Sequence, residues 1–119
     1  MDKNNFGRLS DSAFLQTRDE WIDYVNQCQT LSHAAARVGT FIALRMNVVD
    51  RCSWWPVKRI AVALGCSTRT VSDGIAQLMM ENLLVVHRPN RRANQRYFIR
   101  LPYVRNAAIA LLSDAVTAS

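Results

Sequence analysis

The chain has 119 residues, half of them hydrophobic, with a formal net charge of +6 at pH 7. That length holds one domain with a real core and is short for two, and the hydrophobic content excludes wholesale disorder. No apolar run approaches the ~18–20 residues of a membrane span, the polar start MDKNNFGRLSDS lacks the apolar segment of a secretory signal, and three widely spaced cysteines (Cys28, Cys52, Cys66) argue against a disulfide framework and for a reducing cytoplasm.

Residues 1–9 are polar and expected to be loose. From Ser10 the pattern turns helical: Ser10, Asp11 or Ser12 can cap, and Phe14, Arg18, Trp21, Ile22, Val25 and Cys28 recur at helical spacing. Asp19, Glu20 and Asp23 make the outer face acidic. An apolar face with Phe14, Trp21 and Tyr24 is large for an appendage, so this helix is expected to pack on the domain or on a second chain. A break at Thr30-Leu31-Ser32 offers a new cap. Residues 33–47 then read as a helix with Ala35, Val38, Phe41, Ile42, Arg45 and Met46 along one stripe. Gly39 weakens it by ~1 kcal/mol unless a neighbour packs close there. Residues 52–55 read as a short strand or extended segment, because a residue before proline is pushed towards extended geometry and Pro56 suits the first turn of a helix.

The segment 60–82, IAVALGCSTRTVSDGIAQLMMEN, organises the rest. It predicts two short helices, 56–64 and 67–81, hinged at Gly65-Cys66-Ser67. Ile60, Ala61 and Leu64 form one apolar face; Val71, Ile75 and Leu78, with Met79, form the other. Gly65 tolerates left-handed backbone, Ser67 or Thr68 can cap the second helix, and Asn82 stands where a left-handed C-terminal cap is expected. Two helices across such a turn form a helix-turn-helix unit, whose second helix can lie in the DNA major groove. Residues 83–87 and 96–101 are β-type runs around a polar, arginine-bearing turn and predict a hairpin. Residues 103–117 predict a closing amphipathic helix. The fold class is mainly α with a small β-hairpin (α+β), divided into a tail and a packing or dimerisation helix (1–30), a central domain (31–102) and a C-terminal helix (103–119).

The charge is unevenly placed. Residues 1–31 carry three Lys/Arg against five Asp/Glu, whereas residues 32–101 carry eleven against three. A basic central segment suits a polyanion; the alternative is an ordinary solvated surface. Residues 84–100 hold five arginines (88, 91, 92, 96, 100) and no acid.

From about residue 31 to 101, some 70 of the 119 residues, the order of elements resembles the winged helix-turn-helix domain of bacterial and phage proteins. Trp55-Pro56 opens the first helix of the pair. Ile60-Ala61-x-x-Leu64-Gly65-Cys66-Ser67 resembles the family's A–x–x–L–G–V–S stretch, and Thr68-Arg69-Thr70-Val71 opens the recognition helix. Leu78 to Leu84 resembles the L–x–x–x–G–L–L exit, and Asn94-Gln95-Arg96-Tyr97 the N–x–Y return of the wing. Asn82 replaces the usual glycine of that exit, and Asp73 and Gly74 occupy the outer face of the reading helix, where the base-reading residues are expected.

The resemblance implies a sequence-specific double-stranded DNA-binding protein, most simply a transcriptional regulator at the nucleoid. A homodimer through the flanking helices is expected, since dimers read two half-sites. The candidate DNA-binding residues are Lys58, Ser67, Thr68, Arg69, Thr70, Ser72, Asp73, Gln77, Arg91, Arg92, Asn94 and Arg96. Arg69 suits guanine, Gln77 adenine, and Asp73 the amino group of cytosine. The hydroxyls and the helix N-terminus suit phosphates or base edges. Arg91 and Arg92, at the hairpin tip with Asn94 beside them, suit the minor groove or nearby phosphates, and Lys58 with Arg59 suits the backbone. The alternatives are the DNA-binding module of a plasmid or phage replication, partition or excision system, and a winged-helix scaffold for protein contacts.

No spacing of His33, His87 and the cysteines suits zinc. There is no G-x-x-x-x-G-K-S/T loop and no G-x-S-x-G elbow, so neither an enzyme nor a cofactor is expected. Cys28 and Cys66 are expected as small buried residues, and Trp54 and Trp55 as core.

Overall fold

Ser10 starts the first helix as its position suggests. Its backbone is extended and its Oγ accepts from the Ala13 N–H at 3.2 Å, which satisfies a donor that the helix leaves free. The computed structural model describes residues 9–101; the tail over 1–8 and the closing helix over 103–117 lie outside them. Leu9, expected in the loose tail, is buried. Helix α1 (Asp11–Gln27) buries Phe14, Thr17, Trp21 and Val25, one stripe at helical spacing. Thr17 is tolerated there because its hydroxyl donates to the Ala13 carbonyl at 2.9 Å. Helix α2 (His33–Leu44) repeats the cap, with Ser32 Oγ accepting from the Ala35 N–H at 3.1 Å.

Helix α2 ends at Leu44 rather than running to residue 47. Asn47 stops it: its N–H donates to the Cys52 carbonyl at 2.9 Å, and its Oδ1 accepts from the N–H groups of Val49 and Asp50. This is the local side-chain competition that favours asparagine in turns. Arg51 sits in the turn at φ 61°. Its guanidinium donates to the Leu9 carbonyl at 3.0 Å and to Asp11 Oδ1 at 2.8 Å, over the Phe14 ring. The turn is thereby tied to the start of α1.

Helix α3 (Val57–Leu64) begins one residue later than expected, with Pro56 as the cap residue rather than in the first turn. Gly65 closes it in left-handed geometry at φ 69°, which costs a glycine nothing in Cβ strain. Helix α4 (Thr68–Met80) follows, and Asn82 at φ 59° takes the left-handed position after it. Strands β1 (Leu84–His87) and β2 (Arg96–Ile99) pair antiparallel, from Leu84 opposite Ile99 to His87 opposite Arg96. Ser53 adds a single bridge to β2, exchanging both backbone hydrogen bonds with Tyr97 at 3.1 and 2.7 Å. The expected extended segment is therefore real, and it lies along the hairpin. The described chain is mainly helical with a two-stranded antiparallel hairpin, an α+β arrangement. None of its helices is long and apolar enough to cross a membrane.

The core lies where α2 packs against α1 on one side and α4 on the other. Trp21 is fully buried within it. Its indole N–H donates to two carbonyls, Leu83 at 2.9 Å and Arg100 at 3.1 Å, so α1 is fastened to the base of the hairpin. The apolar face of α1 thus packs on the domain, with Leu15, Ile22 and Tyr24 half-buried at its margin.

Two glycines set the helix spacing. A Cβ on Gly39 would lie 3.1 Å from the Trp21 ring and 3.2 Å from Leu78, so the close neighbour that would justify a mid-helix glycine is present. A Cβ on Gly74 would lie 3.2 Å from the backbone Cα of Ala35 and 3.3 Å from Val38. Ala35 can yield only by moving α2. Helix propensity alone favours alanine over glycine by ~1 kcal/mol, while overpacking a core costs about 1–3 kcal/mol. Gly74→Ala is therefore expected to lower stability by about 1 kcal/mol in denaturant titration. A gain in stability would show that the two helices are not held in this contact.

Candidate nucleic-acid interface

Helix α4 divides sharply by face. Val71, Gly74, Ile75 and Leu78 are buried; Thr68, Arg69, Ser72, Asp73 and Ala76 are exposed. Two expectations are corrected here. Met79, placed inward by periodicity, is 45% exposed, because the inward stripe follows Val71, Ile75 and Leu78. Gly74, placed on the outer face, is buried against α2.

The polar residues have distinct occupations. Ser67 caps α4, its Oγ accepting from the Thr70 N–H at 3.1 Å and lying 2.9 Å from the Thr70 hydroxyl. Ser67 and half-buried Thr70 thus spend their side chains on the helix start, while Thr68 and Ser72 remain open. Arg69 Nε lies 3.8 Å from Asp73 Oδ2, with both side chains largely in solvent; such a pair holds its partners weakly and is readily exchanged. Gln77 is engaged elsewhere. Its Oε1 accepts from the Ser32 N–H at 3.0 Å, bracing α4 against the start of α2, and this replaces the outward role expected of it.

The hairpin presents Arg88, Arg91, Arg92, Asn94 and Arg96 to solvent. Its turn is organised by Asn90, whose Oδ1 accepts from the Arg92 and Ala93 N–H groups, both at 2.9 Å. Gln95 Oε1 accepts from the hydroxyl of buried Tyr97 at 3.3 Å, holding the return arm. Burial pushes the Tyr97 phenol up from its ordinary value, against the pull of Arg88.

A third cationic group lies at the start of α3. Lys58 is exposed in the first turn of that helix. Next to it the Arg59 guanidinium sits 4.1 Å from the Trp55 ring centre, and Arg45 sits 4.2 Å from Phe41 and 5.6 Å from Trp55. Phe41 and Trp55 meet edge to face at 5.3 Å. Aromatic faces hold a guanidinium without neutralising it, so both arginines are positioned while keeping their charge. Arg45 was expected among apolar residues, and its helical spacing gave no sign of this stack. Trp55 is half-buried, but Trp54, also expected in the core, is 40% exposed.

Cys28 and Cys66 are only half-buried, against expectation, whereas Cys52 is buried beside the Ser53–Tyr97 bridge. Burial raises the Cys52 thiol above its usual 9.0, Asp50 adds to the rise, and Arg96 opposes it. The unfolded chain therefore releases this proton first as pH climbs past 9.0, and stability falls from there upward. At pH 8 Cys52 is expected to react with a thiol reagent well after Cys28 and Cys66, as peptide mapping of the labelled protein would show. Equal labelling rates would contradict its burial.

Comparison with known proteins identifies no relatives: no family model matches the chain, and no curated protein or solved structure matches it.

Proposed function

We propose that this chain is a winged helix-turn-helix protein that binds double-stranded DNA, most simply as a transcriptional regulator. The observation that carries this reading is the pairing of two surfaces in one small fold. One is a capped helix, α4, with Thr68, Arg69, Ser72 and Asp73 exposed near its N-terminus. The other is an exposed hairpin with arginines at 88, 91, 92 and 96 and no acid. In this reading α4 enters the major groove and Arg69 contacts a guanine edge. The hairpin is the wing, held by phosphates or the adjacent minor groove. Lys58 and the aromatic-held Arg59, in the first turn of α3, contact the backbone. Two copies read a two-fold-symmetric site, because one module of this size makes a small interface.

Selection of bound duplexes from a random pool tests the reading: a palindromic consensus is expected, with retardation that weakens steeply as salt rises. No enrichment together with salt-independent binding would end it. On the selected site, Arg69→Ala is expected to cost about 1–3 kcal/mol and relax preference at one base, while Arg91→Ala weakens all sequences alike and flattens the salt dependence. Identical effects of the two substitutions on every sequence would contradict these assignments. Asp73→Asn removes a negative charge from the presented face and frees Arg69. It is expected to tighten binding to unrelated DNA several-fold in the same titrations; unchanged or weaker binding would place Asp73 in a base contact or off the interface.

A further inference from the structure

The proposed duplex contacts make no use of Trp54. It is large, 40% exposed, and stands between two cavities. The first, about 230 Å³, is lined by Trp54 with Asp50, Ala93, Asn94 and Arg96. The second, about 190 Å³, is lined by Trp54 with Arg45, Asn47, Cys52, Ser53 and Trp55. Ser53 is 2% exposed, and its hydroxyl has no hydrogen-bond partner among the described residues. A buried polar group without a partner is costly, so such a group marks a place where a ligand or water completes the bonding.

We infer that Trp54 is the platform of a nucleobase site, where one unpaired base of a DNA strand stacks in the cavity shared with Asp50 and Asn94. The inference rests on the DNA-binding reading. The chemistry of the walls selects the ligand. A carboxylate at Asp50 repels a phosphate but accepts from the amino or imino N–H of a base, and the Asn94 carboxamide offers both a donor and an acceptor. Arg96, on the same wall, supplies a cation for the flanking phosphate. Across Trp54, the exposed Arg45 supplies a cation for the next phosphate along the strand. The first cavity is smaller than the ~300–1,000 Å³ of sites that enclose whole drug-sized ligands, which suits one ring system.

A base inside a duplex has both faces covered by its neighbours, so a tryptophan on the protein surface can stack only on a base that is unpaired. The site therefore adds affinity for a fork, an overhang or a bulge next to the bound duplex. Removing one such stacking platform typically lowers affinity by roughly five- to a hundredfold.

The test measures binding of the full chain to three labelled DNAs by fluorescence anisotropy: an intact duplex, the same duplex with a short unpaired fork, and that fork built from abasic sugars. The fork is expected to bind at least fivefold more tightly than either of the others. Trp54→Ala is expected to abolish that preference, Trp54→Phe to keep most of it, and both to leave intact-duplex affinity unchanged. Equal affinity of the wild-type chain for the normal and abasic forks overturns the site without recourse to any variant. Full preference in Trp54→Ala overturns it equally. Failure to bind the intact duplex defeats the double-stranded reading alone, while the normal-versus-abasic comparison still decides the fate of Trp54. No binding to any of the three defeats both.

Discussion

At Gly74, helix α4 comes up close against α2. With no Cβ there, the α4 backbone settles against Ala35 and Val38, and the rotation of α4 about its own axis is set. Val71, Ile75 and Leu78 then point into the core and Thr68, Arg69, Ser72 and Asp73 point out. The Gln77–Ser32 hydrogen bond braces the same pair of helices further along. Gly39 on the other helix admits Trp21 and Leu78 to the same layer. Trp21 carries the constraint onward, because its N–H reaches both carbonyls at the foot of the hairpin. Thus the orientation of α4 and the anchorage of the hairpin both trace to one closely packed helix crossing.

The basic charge of the central segment is divided between structure and surface. Arg51 is committed to the start of α1, bonded to carbonyls and Asp11 and laid over Phe14. Arg45 and Arg59 are positioned on aromatic rings, which orders them while leaving the charge intact. Arg69 has an exposed acid one turn away. The hairpin arginines, by contrast, stand exposed around a turn ordered by Asn90. In the proposed DNA-binding role, electrostatic attraction would therefore reside chiefly in the hairpin and the entrance to α3, with α4 supplying shape and hydrogen bonding more than charge.

Much of this fold was legible in the sequence, because its signals are local. Ser10, Ser32 and Ser67 each cap a helix, and Gly65 and Asn82 take the left-handed positions their chemistry allows. The β-type runs pair as the hairpin that their spacing implies. What the sequence left hidden depends on contacts between distant residues. A glycine carries no hydropathy signal, so Gly74 reads as part of the outer face, although its spacing from Val71 and Leu78 is that of the buried stripe; the nearness of Ala35 fixes it inside. Gln77 looked free because its partner, the Ser32 N–H, lies 45 positions away. The aromatic stack of Arg45 and Arg59 joins the end of α2 to the start of α3, which no single stretch displays. Trp54 and Trp55 are adjacent and chemically identical, and only the packing separates the half-buried one from the exposed one.

If α4 and the hairpin form one DNA-binding surface, as proposed, amide chemical-shift mapping will register both. A labelled sample titrated with a duplex selected by the protein should show its largest changes over residues 67–73 and 90–96, with smaller ones at Lys58 and Arg59. The core of α1, around Trp21 and Val25, should stay unmoved. Changes concentrated on α1 or on the outer face of α2, with α4 and the hairpin silent, would contradict it.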